Sequence, residues 1–269
     1  MKAVMKAATP AILVVLFAPV ASPMHAKPRA LLRPPSAPLI SRAPPAVALA
    51  SYAGDVAGLF NNMKTPASIL AGAILPIGFL APLPEPERWR CGKLTLVKRL
   101  YNIVATASLV SELLSVMWAT VAVNKLAETA VAPTASAWDL IQRDYNLAWA
   151  GCNAHFVIGM MGFMALIGTR AWLSAAGTPF GLAAAGMATS GLMLMTAIVN
   201  RGVAAGGGAA GQQYGGTVLA LIWSYTRLLL RQATSVASFG PLELGAVAVA
   251  AGSVVIAATA AAREVRGRR

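Results

Sequence analysis

Acidic side chains are scarce in this sequence. Nine Asp and Glu stand against 22 Lys and Arg in 269 residues, and none precedes Asp55. Only 12% of the residues are charged, too few to wet the surface of a water-soluble domain. Cysteine is nearly absent: Cys91 and Cys152 lie far apart with no CxxC, which excludes a cysteine-ligated metal site and a disulfide scaffold. Histidine is limited to His25 and His155. There is no HExxH, no GxSxG, no histidine cluster and no pair of acids inside an apolar run, so catalysis is not expected. The Gly-rich GVAAGGGAAGQQYGG lacks GxxxxGK[ST] and reads as a connector, with Gln212, Gln213 and Tyr214 as surface groups.

What the chain has in quantity is apolar sequence, 57% of its residues, gathered into runs. The longest, LYNIVATASLVSELLSVMWATVAV from Leu100 to Val123, follows Lys98 and Arg99 and precedes Lys125. About 20 such residues cross a ~30 Å hydrocarbon layer, so a membrane-spanning helix is expected there. Further runs lie at Asn153 to Leu173, Phe180 to Asn200, Thr217 to Leu230 and Leu242 to Ala262. The Thr217 run is short and contains Arg227, which can snorkel with Arg231 to one interface. If it does not span, the basic stretch from Arg88 to Arg99 and the C-terminal REVRGRR share one side, as the positive-inside rule favours.

The fold class expected is therefore an all-α, polytopic membrane helix bundle with about four, and between four and six, transmembrane helices after a targeting leader. Residues 102–262 form the bundle and 263–269 a basic tail. Residues 51–101 read as a linker with a basic surface stretch and a short apolar segment, Pro66 to Pro82, broken by Pro76. That segment is expected to be re-entrant or interfacial. The +13 net charge sits in the leader, in Arg88 to Arg99 and at the C-terminus, without interleaved aromatics. It suits membrane flanks, and nucleic acid is not an expected partner.

The first 50 residues have their own pattern. Lys2 and Lys6 precede the apolar AILVVLFAPVA in residues 1–21, and residues 22–50 are basic, Pro/Ser-containing and free of acids. With Phe17-Ala18-Pro19 at the junction, this layout resembles the bipartite plastid-targeting presequence of algae with red-derived complex plastids. The resemblance covers the presequence alone and implies a plastid membrane, thylakoid or envelope. A plain secretory signal followed by a Pro-rich linker is the alternative, with a secretory-pathway membrane as the address.

Within the first span, Ser108, Ser111, Glu112, Ser115, Ala119 and Ala122 recur at spacings of three and four. Small residues on one face are what helices in lipid pack with. Glu112 lies on that face. Its carboxyl is expected to be neutral and hydrogen-bonded to serine hydroxyls or backbone, or paired with a cation such as Arg170, or to serve transport or pigment ligation. In the second span His155 lies in line with Gly159, Gly162 and Leu166. Such a face can admit a macrocycle ligated by imidazole, chlorophyll being the candidate cofactor, or it can admit another helix. The light-harvesting signature couples a glutamate to an Asn or His and an Arg shortly after it, and SELLSVMWATVAV has no such pair. Phe180 to Asn200 reads as a packing helix, and the Ala/Val-rich last span as one that packs against several neighbours.

The functional expectation is a non-catalytic subunit or assembly factor of a plastid membrane complex, with lipid and other membrane subunits as partners. The alternative is a small-solute or ion transporter that uses Glu112.

Overall fold

In the computed structural model, residues 51–84, 93–175, 178–205, 217–234 and 241–266 are described. The targeting presequence, Trp89, Cys91, Gln212, Gln213, Tyr214 and the last three residues of the basic tail lie outside them. The described residues are helical with no strand. Four helices are long and apolar enough to cross a membrane: Ala53–Leu80, Thr95–Glu128, Ala137–Ser174 and Pro179–Asn200. The chain is a multi-pass membrane helix bundle.

Helix α1 (Ala53–Leu75) runs on through a π turn, Pro76–Leu80. The Pro66 to Pro82 segment is thus no short re-entrant piece. The helix begins well before Pro66, and neither proline ends it. Thr65 and Ser68 hydroxyls donate to the Asn61 and Lys64 carbonyls around the first proline. At the second, where Pro76 has no N–H to give, the chain widens by one residue and closes with Ala81 N–H on the Pro76 carbonyl at 2.9 Å.

Helix α2 (Lys93–Glu128) has 36 residues and is ~54 Å long, so it projects beyond a ~30 Å core at its ends. The turn after it leads into α3 (Ala137–Leu140), whose first turn is capped by Ser136 Oγ accepting from Asp139 N–H at 3.1 Å. A second π turn, Ile141–Tyr145, joins α3 to α4 (Asn146–Ser174) as one long element. Arg143 ties this entry to the preceding loop through the Ala132 carbonyl, 3.1 Å, and pairs with Asp144. Helix α5 (Pro179–Ala205) starts at Thr178, whose hydroxyl accepts from Gly181 N–H.

Helices α1, α2 and α4 form the centre. Val56, Phe60, Ala119, Ala122, Leu126, Leu140, Ile141, Tyr145 and Cys152 make one cluster near the start of α1. Phe60 meets the edges of the Tyr145 and Trp149 rings, centroids 6.4 and 5.4 Å apart. Ile74, Tyr101, Ala105 and Leu166 make a second cluster at its other end.

Helix α6 (Val218–Thr234) has 17 residues, ~25 Å, and is too short to be counted with the four. Its Leu221 and Tyr225 pack on Ala150 and Ala154 of α4, while Arg227 is exposed. The last run forms α7 (Pro241–Arg266), 26 residues, with a shorter apolar core at Ala248–Ala260. Leu242, Val249, Val254, Val255 and Ile256 are all exposed, and the Cβ positions of Gly245 and Gly252 meet nothing, so within this chain the neighbours expected of this helix are not found among the described residues.

Arg170 closes the far end of α1. Its guanidinium donates to the Ala81 and Pro82 carbonyls at 3.2 and 3.1 Å and reaches Ile77 O at 3.5 Å, while Tyr101 O–H donates to Ile77 O at 2.6 Å. A cation at a helix C-terminus also complements its dipole. Arg170→Met should cost about 2 kcal/mol by orphaning these carbonyls. Thermal unfolding in detergent checks this, and an unchanged melting temperature would refute the clamp.

Candidate functional site

The face of α2 legible in the sequence is the buried one. Ser108, Ser111, Glu112, Ser115, Ala119 and Ala122 are all buried, whereas Val110, Leu113, Leu114, Met117 and Val121 are exposed. Opposite this face α4 presents glycines, and each receives a side chain of α2. A Cβ at Gly151 would fall 2.8 Å from Trp118 Nε1, one at Gly159 would fall on Glu112 Oε1, and one at Gly162 on Ser108 Oγ. Between them, Ser115 O–H donates to the Cys152 carbonyl at 2.9 Å and lies 3.4 Å from its thiol. The two helices are joined along a polar seam through glycine-sized gaps.

Glu112 is 0% exposed, and neither carboxyl oxygen has a hydrogen-bond partner. The expected serine bonds are not made: Ser108 O–H goes to the Val104 carbonyl, 2.7 Å, and Ser115 O–H across to Cys152. Arg170 is not its cation either. It lies 11 residues beyond Gly159 on α4, ~16 Å along the axis, and is engaged at the end of α1. Arg227 is on α6 and exposed, so the three intramembrane polar residues singled out in the sequence form no common cluster.

His155 sits one turn from Gly159 on α4. Its Nε2 is 3.0 Å from the Tyr225 hydroxyl and the rings meet edge to face at 5.2 Å, while Nδ1 is buried without a partner. Which of the two groups donates depends on the imidazole tautomer. The Trp118 indole faces Gly151, one turn before His155 on α4. This arrangement does not fit a chlorophyll. The Nε2 side of the imidazole is occupied by the Tyr225 hydroxyl at 3.0 Å, which keeps the metal of a macrocycle from that nitrogen. The glycine surface below the ring is filled by Glu112 and Ser108.

Trp118 and Tyr225 were missed in the sequence. Tyr225 sits in a run read as doubtful, and nothing in spacing alone places it beside His155. Among the described residues no group of three or more His, Cys, Asp and Glu could hold a metal ion. Compared with known proteins, the chain matches no family model, no curated protein and no solved structure.

Two glycine substitutions separate seam packing from helix propensity. Gly162→Ala should destabilise by about 1–3 kcal/mol, because the new methyl meets Ser108. Gly186→Ala, on α5 where a Cβ meets nothing, should be neutral or gain about 0.5–1 kcal/mol. Equal melting temperatures for the two variants would contradict the seam.

Proposed function

We propose that the chain is a non-catalytic subunit or assembly factor of a membrane complex, resident in a plastid membrane, thylakoid or envelope. The observation that carries this reading is the uncovered state of its last long helices. The apolar part of α5 is only 6% buried, and its contact is with α4, where Gly168 stands against Ala188 and Gly191 against Met164. Away from that contact Leu182, Met187, Met193, Leu194 and Ile198 are open, and on α7 Leu242, Val249, Val254, Val255 and Ile256 are open. Small residues exposed on these helices, Ala183 and Gly186 on α5 and Gly245 and Gly252 on α7, allow another helix to approach closely. The plastid address is supported by the basic, acid-free leader.

A transporter is the second reading, favoured by one observation, the buried and unpartnered Glu112 carboxyl. Against it stands the lack of an internal repeat in the sequence.

Gentle solubilisation of the native membrane, a native gel and mass spectrometry of the band distinguish them. Comigration with other membrane subunits is expected. A small band containing this chain alone would contradict the subunit reading and favour the transporter. For the address, residues 1–50 fused to a reporter should deliver it to a complex plastid, and a secreted reporter would refute the plastid reading.

A further inference from the structure

Three observations converge on Glu112. It lies 11 residues after Tyr101, where the Arg170 clamp marks one end of the apolar layer, and 13 before Lys125 at the other, ~16 and ~20 Å along α2. That is midway along the apolar stretch of α2, and in a spanning helix the middle is where an uncompensated charge costs most. The carboxyl also occupies a seat shaped for it, since Gly159 contributes no side chain in the space that it fills. Lastly, Ser108 and Ser115 have given their hydrogens to the Val104 and Cys152 carbonyls. Their oxygens are left with lone pairs only, so these two hydroxyls, about one turn to either side of Glu112, stand as acceptors.

A carboxyl among acceptors is completed by a hydrogen. We propose that Glu112 is a proton-binding site at the centre of the bilayer, seated in the α2–α4 seam by Gly159. The step is the addition of one proton to the carboxylate, which removes the charge and turns the group into the donor that the surrounding oxygens lack. On α4 the Cys152 thiol lies 3.4 Å from Ser115 Oγ, about one turn along α2 from Glu112. His155 stands one turn from Gly159, bonded to Tyr225, and Arg170 is held at the end of α1. On α1 the charged residues are Asp55 and Lys64, both before Pro66. None of these is hydrogen-bonded to the carboxyl. The site does not depend on the complex-subunit reading, and it is the property that the transporter reading would require.

Dicyclohexylcarbodiimide, an apolar reagent that partitions into lipid, tests this directly. It takes the proton of a carboxylic acid on nitrogen, the carboxyl oxygen adds to its central carbon, and rearrangement leaves an N-acylurea. The adduct carries one whole carbodiimide, with no leaving group. The purified full chain in lipid vesicles, treated and mapped by mass spectrometry, should carry a single adduct on Glu112. Its rate should fall as pH rises and stay unaffected by sodium ions, and the adduct should be lost in Glu112→Gln. Absence of the Glu112 adduct in the unaltered protein would overturn the proposal. Protection by sodium at constant pH would also overturn it, by assigning the seat to a metal cation.

Discussion

Close approach of two backbones is the constraint on which the rest of this structure depends. Inside lipid there is no hydrophobic force between helices, and association rests on packing and on hydrogen bonds that span the contact. Helices α2 and α4 meet both needs in one seam. Gly151, Gly159 and Gly162 remove side chains from α4 where Trp118, Glu112 and Ser108 of α2 enter, and Ser115 bonds the Cys152 carbonyl between them. Other placements follow from this register. Tyr225 sets α6 against His155 and the Ala150–Ala154 face, beside Gly151 where Trp118 enters.

A second constraint acts at the end of α1. Two prolines in one helix remove two backbone donors, and the π turn after Pro76 leaves carbonyls at Ile77, Ala81 and Pro82 facing their neighbours. Tyr101 from α2 and Arg170 from α4 supply the donors. The one strongly basic group on α4 within this layer therefore serves the backbone of α1, and Glu112 is left without a cation. The electrostatics of the bundle thus follow from where the helix defect sits.

How much of this was readable depends on the range of the interaction. The buried face of α2 was legible because Ser108, Glu112, Ser115 and Ala119 repeat at helical spacing, and that periodicity is a local property. The α1 span was misread because the apolar run begins at Pro66, whereas the helix begins at Ala53 in a polar stretch containing Asn61, Asn62 and Lys64. The partners of Arg170 are main-chain carbonyls freed by a π turn, and no residue type marks those in a sequence. His155 and Gly159 were correctly seen to share a face. What filled that face, a glutamate and a serine from α2, depended on inter-helix register and could not be read from α4 alone. For α7 composition gave a helix with small residues all round, yet it has no extended contact with the other described helices.

The seam register is tested most directly by cysteine pairing in the membrane. In a background with Cys91 and Cys152 replaced by serine, Ser108→Cys with Gly162→Cys places two Cβ atoms 2.9 Å apart. A small relaxation brings them to the ~3.5–4.5 Å that a disulfide spans. Mild oxidation should bridge this pair rapidly and leave Val110→Cys with Gly162→Cys unbridged, because Val110 lies on the exposed face. Equal bridging of both pairs, or bridging of the control alone, would contradict the α2–α4 packing from which the whole account is built.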